Sequence, residues 1–351
     1  MEFNIKSLLR ENIANLVPYS SARDEFNGKA DVFLDANENS LGSPFTKWYN
    51  RYPDPKQEDL KHKLSSIKGV PAGQIFIGNG SDEPIDILFR AFCEPGVDNV
   101  ITLPPTYGMY DVSAHINDVA IKTVPLLEDF QPDLDAIANA IDEFTKIIWI
   151  CSPNNPTGNS IDVQAIEMIL LNFNGIVVVD EAYINFSRQR SWIPELIDFP
   201  NLVVLQTLSK AWGLAGLRIG MAFASIEIIN VMNTIKSPYN ISQPAQDIVL
   251  KALDNLDQVN DMIKILVDER EWLASELEAL PFVEIVYPSD ANFLLVKFDD
   301  AQKIYDYLTS LGIIVRNRTN ISETKNCLRI TVGTPAENKL LIAHLQELII
   351  P

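Results

Sequence analysis

The sequence has few cysteines and no long apolar run, and these absences exclude several classes of protein. The 351 residues include three cysteines, Cys93, Cys151 and Cys327, which lie far apart and form no CxxC pair. This predicts neither a disulfide framework nor a cysteine metal site, and it favours a reducing compartment. No apolar run approaches the roughly 20 residues that span a bilayer. The first residues, MEFNIKSLLREN, carry charges where a signal peptide needs an apolar core. We therefore expect a soluble cytoplasmic protein.

Histidine and positive charge are also scarce. His62, His115 and His344 are the only histidines, and their positions predict no cluster of metal ligands. The chain has 28 basic against 47 acidic residues, a formal net charge of -19, and no basic stripe interleaved with aromatic residues. Nucleic acid is therefore not an expected partner, because such a chain repels polyanions.

From about residue 75, short β-branched runs alternate with longer amphipathic patterns, which predicts an α/β fold with a mostly parallel sheet covered by helices. Seven strands are predicted at 75–78, 98–103, 119–124, 146–151, 176–180, 202–207 and 218–223. The helical patterns lie at 82–93, 107–117, 133–142 and 162–172.

The later part of the chain predicts a smaller α+β unit. A long helical stretch at about 243–279 leads into it. Strands are then predicted at 283–286, 291–298, 313–316 and 327–332, and helices at 300–311 and 335–349. We predict a large domain at 41–240 and a small domain in which 1–40 pack with 241–351.

Unusual polar residues follow four of the predicted strands, and functional groups gather at the carboxyl ends of strands in a mostly parallel sheet. The segment GNGSDE (78–83) leads into a helix, so the N–H groups of Ser81 and Asp82 could bind a phosphate. A helix cap with a glycine turn is the alternative. Asn155, in NNPTG (154–158), could donate to a phenolic oxygen of a bound ring, although such strings are often only turns.

Asp180 ends an apolar strand, 176–180, and an acid at the rim of a sheet needs a cationic partner. A protonated pyridine nitrogen would supply that partner and stay an effective electron sink. Tyr183, three residues later, could hydrogen-bond the phenolic oxygen of the same ring. The alternatives are that Asp180 caps the next helix and that Tyr183 is a half-buried core residue.

Lys210 lies in TLSKAWGLAGLR (207–218), an apolar and glycine-rich setting. Desolvation and a nearby cation would lower the lysine pKa, as a Schiff-base amine requires. Thr207, Ser209 and Arg218 are placed to bind a phosphate from one side. A snorkelling surface lysine and a surface ion pair of Arg218 are the separate alternatives. Together, the amine, the acid and the two phosphate-binding groups favour a cofactor site over coincidence.

Over nearly its whole length, the chain resembles the fold-type I aminotransferases of class II, which depend on pyridoxal 5'-phosphate (PLP). The segments that carry the resemblance are PYSSAR (18–23), LDANEN (34–39), RYPDP (51–55), AFCEPG (91–96), PPTYGMY (104–110), CSPNNPTG (151–158), VVVDEAY (177–183), TLSKAWGLAGLRIG (207–220) and CLRITVGT (327–334). This resemblance implies a large PLP-binding domain with a seven-stranded sheet, a smaller α+β domain and a homodimer.

The resemblance also implies roles for individual residues. Lys210 would hold PLP as a Schiff base, Asp180 would pair with the pyridinium nitrogen, and Asn155 with Tyr183 would bind the ring oxygen. Tyr107 would stack on the ring. The cofactor phosphate would be bound by Ser81, Asp82, Thr207, Ser209 and Arg218, and by Tyr52 from the neighbouring subunit.

Within the family, the resemblance is strongest to members that act on histidinol phosphate. It implies that Arg329 binds an anionic group of the substrate, the α-carboxylate of glutamate or the phosphate of histidinol phosphate. Arg316 and Tyr19 would be further phosphate contacts, and Asn37 would line the pocket. From the residues alone, Arg329 could equally face solvent in an alternating strand and Asn37 could be a polar turn residue.

The expected reaction is transamination between L-histidinol phosphate and 2-oxoglutarate, which gives imidazole-acetol phosphate and glutamate in histidine biosynthesis. The alternatives are a lyase resembling threonine-phosphate decarboxylase, an aromatic or general aminotransferase, and a regulator or inactive relative that binds the cofactor. Two departures from the family pattern are Gln206, where relatives often have arginine, and Ser40-Leu41, where Pro-Phe is common.

Overall fold

The computed structural model describes residues 3–18, 34–45, 49–319 and 324–348. The larger sheet has the strand order β1-β7-β6-β5-β4-β2-β3. Neighbouring strands are parallel except for β7, which is antiparallel to both β1 and β6. The strands are β1 (Ile75–Asn79), β2 (Asn99–Thr102), β3 (Ala120–Thr123), β4 (Thr145–Cys151), β5 (Ile176–Asp180), β6 (Leu202–Thr207) and β7 (Ile219–Ala224). The predicted α/β fold with a mostly parallel seven-stranded sheet is therefore confirmed.

Apolar side chains cover both faces of this sheet. Val177 and Val179 contribute to the core on one face, whereas Ile176 and Val178 contribute to the core on the other. Successive side chains of a strand point to opposite faces, so a strand covered on both sides is a continuous apolar run. This is why the central strands were visible in the sequence.

Eight of the described helices lie in the part of the chain that forms the larger unit, and most of them follow from segments with an apolar stripe. They are α1 (Ile5–Leu8), α2 (Glu11–Ala14), α3 (Glu58–Lys68), α4 (Asp82–Phe92), α5 (Met109–Ile116), α6 (Leu134–Ala140), α7 (Val163–Asn172) and α8 (Ile226–Ile235). The helices α4 to α7 were predicted, but α1, α2, α3 and α8 were not. In α3, only Leu60 and Leu64 are buried, which makes the apolar stripe too narrow to stand out in the sequence.

The smaller sheet is antiparallel throughout and has the strand order β10-β11-β9-β8. Its strands are β8 (Val283–Val286), β9 (Phe293–Phe298), β10 (Arg316–Asn317) and β11 (Cys327–Thr331). The later helices are α9 (Gln243–Ala252), α10 (Leu256–Glu278), α11 (Ala301–Ser310) and α12 (Pro335–Glu347). The predicted α+β unit is thus present, although β10 begins at 316 rather than at 313.

The helical stretch predicted at 243–279 is two helices, and this part of the prediction was wrong. The break lies at Leu253, Asp254 and Asn255, between α9 and α10. Asp and Asn interrupt a helix readily because their side chains compete for backbone hydrogen bonds. The apolar periodicity continues across the break, so the sequence pattern did not indicate that the helix ends there.

The packing of the chain changes along α10 rather than at residue 240. Val249 and Val259 are buried in a core of the larger sheet, whereas Leu273 and Leu277 are buried in the core of the smaller one. Residues 241–259 therefore pack with the larger unit, later than the predicted boundary. The division of the whole chain into two domains stays a prediction.

The described start of the chain packs on the larger unit and not, as expected, on the smaller one. Phe3, Ile5 and Leu8 contact the core formed by α4, α5 and one face of the larger sheet. The backbone N–H of Arg10 donates to the carbonyl of Ala91 at 3.1 Å. The few apolar residues of this segment can pack on any nearby apolar surface. The sequence alone therefore does not predict which unit they contact.

A group of hydrogen bonds joins the smaller sheet to the carboxyl ends of the larger one. The backbone N–H of Asp290 donates to the carbonyl of Gly158 at 2.7 Å, and Ser160 Oγ donates to the Asp290 carboxylate at 2.6 Å. Arg270, buried on α10, donates to the carbonyl of Ala291 at 2.8 Å and to that of Phe186 at 3.3 Å. These contacts connect residues just before β9 with loops beside the larger sheet.

Among the described residues, no helix is both long enough and apolar enough to cross a membrane.

Gly220 lies at the closest contact between β7 and the turn after β1. A Cβ at Gly220 would stand 2.3 Å from the carbonyl carbon of Gly80 and from the amide nitrogen of Ser81. We expect Gly220→Ala to lower the free energy of unfolding by about 1–3 kcal/mol, because these backbone atoms cannot move without separating the strands. Denaturant unfolding measures the change. Gly216→Ala is the matched control, since nothing lies within 4 Å of its Cβ position. Equal midpoints for the two variants would contradict this account.

Candidate active site

The carboxyl ends of β4, β5 and β6 meet at a cavity of about 150 Å³. Cys151 at the end of β4 is aligned with Asp180 at the end of β5, and Thr207 ends the neighbouring strand β6. The cavity is lined by Ser81, Asp82, Tyr107, Cys151, Asn155, Asp180, Ala182, Tyr183, Thr207, Ser209, Lys210, Ala215 and Arg218. Every residue predicted to bind the cofactor, apart from Tyr52, is in this set.

Asp180 is a buried acid whose charge is only partly compensated by hydrogen bonds. It is 2% exposed, Tyr110 donates to its Oδ2 at 2.8 Å, and the N–H of Ala182 donates to its Oδ1 at 3.1 Å. Burial raises the pKa of Asp180 to about 6, although both hydrogen bonds oppose that rise. Within the described chain, no cationic side chain lies within 4.0 Å of this carboxylate. The position favours a cationic ligand, and helix capping does not account for its burial.

Lys210 stands at the mouth of the same cavity. Its side chain is exposed there, and Nζ lies 5.7 Å from the centre of the Tyr183 ring. Desolvation by the surrounding walls lowers the pKa of Lys210, and the positive charge of Arg329 lowers it further. Tyr183 is buried, and its hydroxyl accepts a long hydrogen bond of 3.5 Å from Asn155 Nδ2. A lysine with a depressed pKa next to a phenol is suited to nucleophilic and proton-transfer chemistry.

One side of the cavity has the features of a phosphate site. Ser81 precedes α4, and its side chain makes no capping hydrogen bond to the helix. The backbone turns through Gly80, whose φ is +75°, and a Cβ there would lie 2.5 Å from Nη2 of Arg218. Thr207 Oγ1 accepts from the N–H of Ser209 at 3.1 Å. A helix N-terminus, two hydroxyls and a guanidinium thus converge.

Arg218 also contacts an acid. Its Nη2 is 3.4 Å from Oδ2 of Asp82, and both side chains are about half exposed. Tyr107 donates to Oδ1 of the same Asp82 at 3.1 Å and meets the Tyr110 ring edge to face, with centres 5.6 Å apart. The ion pair considered as an alternative for Arg218 is therefore present, but it lies in the wall of the cavity.

Arg329 reaches the cavity from the smaller sheet. Its Nη1 donates to Oδ1 of Asn155 at 2.5 Å, and its guanidinium lies 5.2 Å from the centre of the Phe293 ring. Arg316 is the direct cross-strand partner of Arg329 and is exposed. The solvent-facing alternative therefore does not describe Arg329.

Asn37 and Tyr52 do not line the cavity of their own chain. Asn37 is exposed, with φ at +53°. Tyr52 is 52% exposed and stacks on Tyr239 with ring centres 4.5 Å apart. Tyr19 lies outside the described residues. The proposed roles of these three residues stay predictions.

Sequence reasoning missed three residues at or near the site. Tyr110, the hydrogen-bond partner of Asp180, carries no signal beyond its place in an apolar helix face. Glu181 is buried and accepts from Ser191 Oγ, the N–H of Trp192 and Nε2 of Gln206 at 2.6–2.8 Å. Burial raises the pKa of Glu181 to about 7.

The third missed residue is Arg318, which follows Arg316 by two positions. Alternation along a strand places such residues on one face, and that signal could have identified it. Gln206, noted above only as a departure, takes part in the hydrogen bonds of a buried acid beside Asp180.

The fold is that of the aminotransferases. Residues 40–345 match the profile of the family described as aminotransferase class I and II, and the chain belongs to this family. It is 55% identical over 346 residues to the histidinol-phosphate aminotransferase of Cytophaga hutchinsonii, with 99% of each chain covered.

Two solved structures show the same fold. The histidinol-phosphate aminotransferase from Clostridium acetobutylicum superposes with a TM-score of 0.79 at 22% identity and covers 85% of this chain and 90% of its own. The histidinol-phosphate aminotransferase from Sinorhizobium meliloti, in complex with pyridoxal-5'-phosphate, has a TM-score of 0.77 at 26% identity. That match covers 85% of this chain and 82% of the other.

The buried charge of Asp180 makes a prediction about stability. Its pKa of about 6 is above the ordinary value, so ionisation destabilises the folded protein as the pH rises from about 4 to about 6, and the cost persists above that range. In ligand-free protein, we expect Asp180→Asn to raise the free energy of unfolding at pH 8, by at most about 3 kcal/mol, and not at pH 4. Thermal unfolding at the two pH values measures this effect.

Asp142→Asn is the control for that experiment. Hydrogen bonds from Lys122 and Asn99 hold the pKa of Asp142 well below its usual range, so its charge stabilises the fold at both pH values. We expect this variant to be less stable than wild type at pH 8. A loss of stability for Asp180→Asn at pH 8 would show that burial of the Asp180 charge is not costly.

Proposed function

We propose that the protein is a PLP-dependent aminotransferase that exchanges an amino group between L-histidinol phosphate and 2-oxoglutarate. The products are imidazole-acetol phosphate and glutamate, in histidine biosynthesis. The chemistry is supported by one observation above all, the buried Asp180 in the same cavity as Lys210. The substrate is supported by the near full-length similarity to the relative from C. hutchinsonii.

The residues of the cavity fit PLP group by group. A protonated ring nitrogen would supply the cation that Asp180 lacks, and the amine of Lys210 would bind the cofactor covalently. Asn155 and Tyr183, which already contact one another, would bind the phenolic oxygen. The phosphate would be held by Ser81, Asp82, Thr207, Ser209 and Arg218, with Tyr107 stacked on the ring.

When bound, PLP withdraws electrons from the substrate carbon that bears the amino group and makes its proton acidic. The Asp180 carboxylate would keep the ring nitrogen protonated. Lys210 would act as the base, because its depressed pKa leaves a free Nζ able to accept that proton. Arg329 would bind the anionic end of the substrate and orient the carbon towards Nζ.

The protein is also proposed to be a cytoplasmic homodimer. Tyr52 is exposed, stacks on Tyr239 and does not line the cavity of its own chain. This arrangement agrees with a role at the cofactor phosphate of a partner subunit. Tyr19, Asn37 and Arg316 are proposed substrate contacts.

Absorption spectroscopy tests the proposed reaction. Histidinol phosphate should abolish the visible band of lysine-bound cofactor, and 2-oxoglutarate should restore it. Lys210→Ala should reduce turnover by at least about 10³-fold, because it removes both the attachment point and the base. Lys339→Ala, at an exposed position on α12, is the matched control and should retain full activity.

Three outcomes would contradict this proposal in different ways. Loss of the band with another amine alone would remove the substrate but keep the aminotransferase. Release of carbon dioxide without need for 2-oxoglutarate would favour a lyase like threonine-phosphate decarboxylase. The absence of any visible band in cofactor-loaded protein would argue against Lys210.

Subunit complementation tests the role of Tyr52. Lys210→Ala and Tyr52→Ala homodimers should both be nearly inactive when pure. After dissociation and random reassociation of an equal mixture, about a quarter of the sites should contain both native residues, because each mixed dimer restores one site. Activity should return to about that fraction. If the mixture stays as inactive as its components, Tyr52 does not act across subunits.

A further inference from the structure

Three arginines lie on one face of the smaller sheet. Arg316 pairs directly with Arg329, and the N–H of Arg318 donates to the carbonyl of Cys327 at 3.0 Å, which continues the same antiparallel register. Residues two apart in a strand share a face, as do direct cross-strand partners. Arg316, Arg318 and Arg329 are therefore neighbours, and β11 buries Leu328 in the core on the opposite face.

This arginine face points towards the cavity at the larger sheet. Arg329 hydrogen-bonds Asn155, which lines the cavity, and its guanidinium lies over the Phe293 ring. Phe293 in turn meets the Tyr183 ring edge to face, with centres 5.2 Å apart. Burial raises the pKa of Tyr183, and the positive charges of Arg329 and Arg318 oppose that rise. Arg318 is thus within electrostatic reach of the phenol in the cavity wall.

The positive charge of this face is not neutralised by the described part of the protein. Among those residues, no carboxylate lies within 4.0 Å of Arg316, Arg318 or Arg329. The Nε atoms of Arg318 and Arg329 are buried and have no hydrogen-bond partner there. Burial lowers the pKa of Arg318, and the charges of Arg329 and Arg316 lower it further. Guanidinium groups that repel one another favour an anionic ligand with more than one negative charge.

We propose that Arg318 is a specificity-determining residue that binds the second negative charge of a phosphorylated substrate, beyond the contacts of Arg329 and Arg316. This inference rests on the proposed function. A carboxylate carries one charge and two oxygens, which a single guanidinium fork satisfies. A phosphate monoester carries nearly two charges and three acceptor oxygens at pH 7, and it needs further donors. Arg318 therefore lets the same cavity distinguish a phosphorylated substrate from glutamate.

The test compares both half-reactions of the holoenzyme in Arg318→Gln. We expect kcat/KM for histidinol phosphate to fall by about 10- to 100-fold, mainly through a higher KM, because charge-assisted hydrogen bonds are lost. The half-reaction with glutamate should change by less than about 3-fold, since its α-carboxylate is bound by Arg329 and needs no second guanidinium. Arg318→Lys should recover part of the loss because it keeps the charge but not the fork.

Lys325→Gln is the matched control, because it removes one positive charge from an exposed position in the same part of the chain. It should leave both half-reactions unchanged. An equal loss for glutamate and histidinol phosphate in Arg318→Gln would overturn the proposal, and so would no loss for either. Unchanged cofactor absorbance and thermal midpoint would show that the variant is folded.

Inhibition by inorganic phosphate tests the role of Arg318 independently of the proposed substrate. If wild-type enzyme does not use histidinol phosphate, inhibition of the glutamate half-reaction by phosphate still reports on Arg318. A phosphate inhibition constant raised by about 10-fold or more in Arg318→Gln supports the assignment even then. An inhibition constant equal to that of wild type refutes it.

Discussion

Burial of a negative charge at the end of β5 is the constraint around which this cavity is organised. Asp180 lies between two neighbouring strands and is covered by Tyr110, so water cannot solvate its carboxylate. Two hydrogen bonds reduce the cost of ionisation without removing it. A cationic ligand would remove the remainder, which is why Asp180 is the proposed partner of a protonated ring nitrogen. The amine of Lys210 and the phenol of Tyr183 are positioned by the same strand ends.

The second organising feature is a division of charge between the two sheets. The larger sheet contributes the buried negative charge of Asp180 to the cavity, whereas the smaller sheet contributes arginines. Asn155 connects the two, because its amide contacts both Tyr183 and Arg329. The protein as a whole carries a formal net charge of -19, so attraction of an anionic substrate depends on positive charge gathered locally at the cavity.

Much of the fold and most of the cavity could be predicted from the sequence, for physical reasons. Strands covered on both faces are continuous apolar runs, and polar residues at their ends stand out against them. Tyr110 could not be found in this way, because its contact with Asp180 depends on how α5 packs on the sheet. Likewise, the break at Asp254 and Asn255 divides the helical stretch without interrupting the apolar pattern. Long-range packing and helix breaks are hard to predict because they change the local sequence pattern very little.

The hydrogen bonds of Asp290 and Arg270 join the smaller sheet to the larger one through backbone carbonyls, at Gly158, Phe186 and Ala291. Because carbonyls accept these bonds, this part of the joint does not depend on which side chains β10 and β11 carry. Evolution can therefore replace residues of β10 and β11 and retune which anion is accepted, while the docking geometry and the machinery for amino transfer stay intact. Within such an architecture, new substrate preferences arise by changing one half of the cavity at a time.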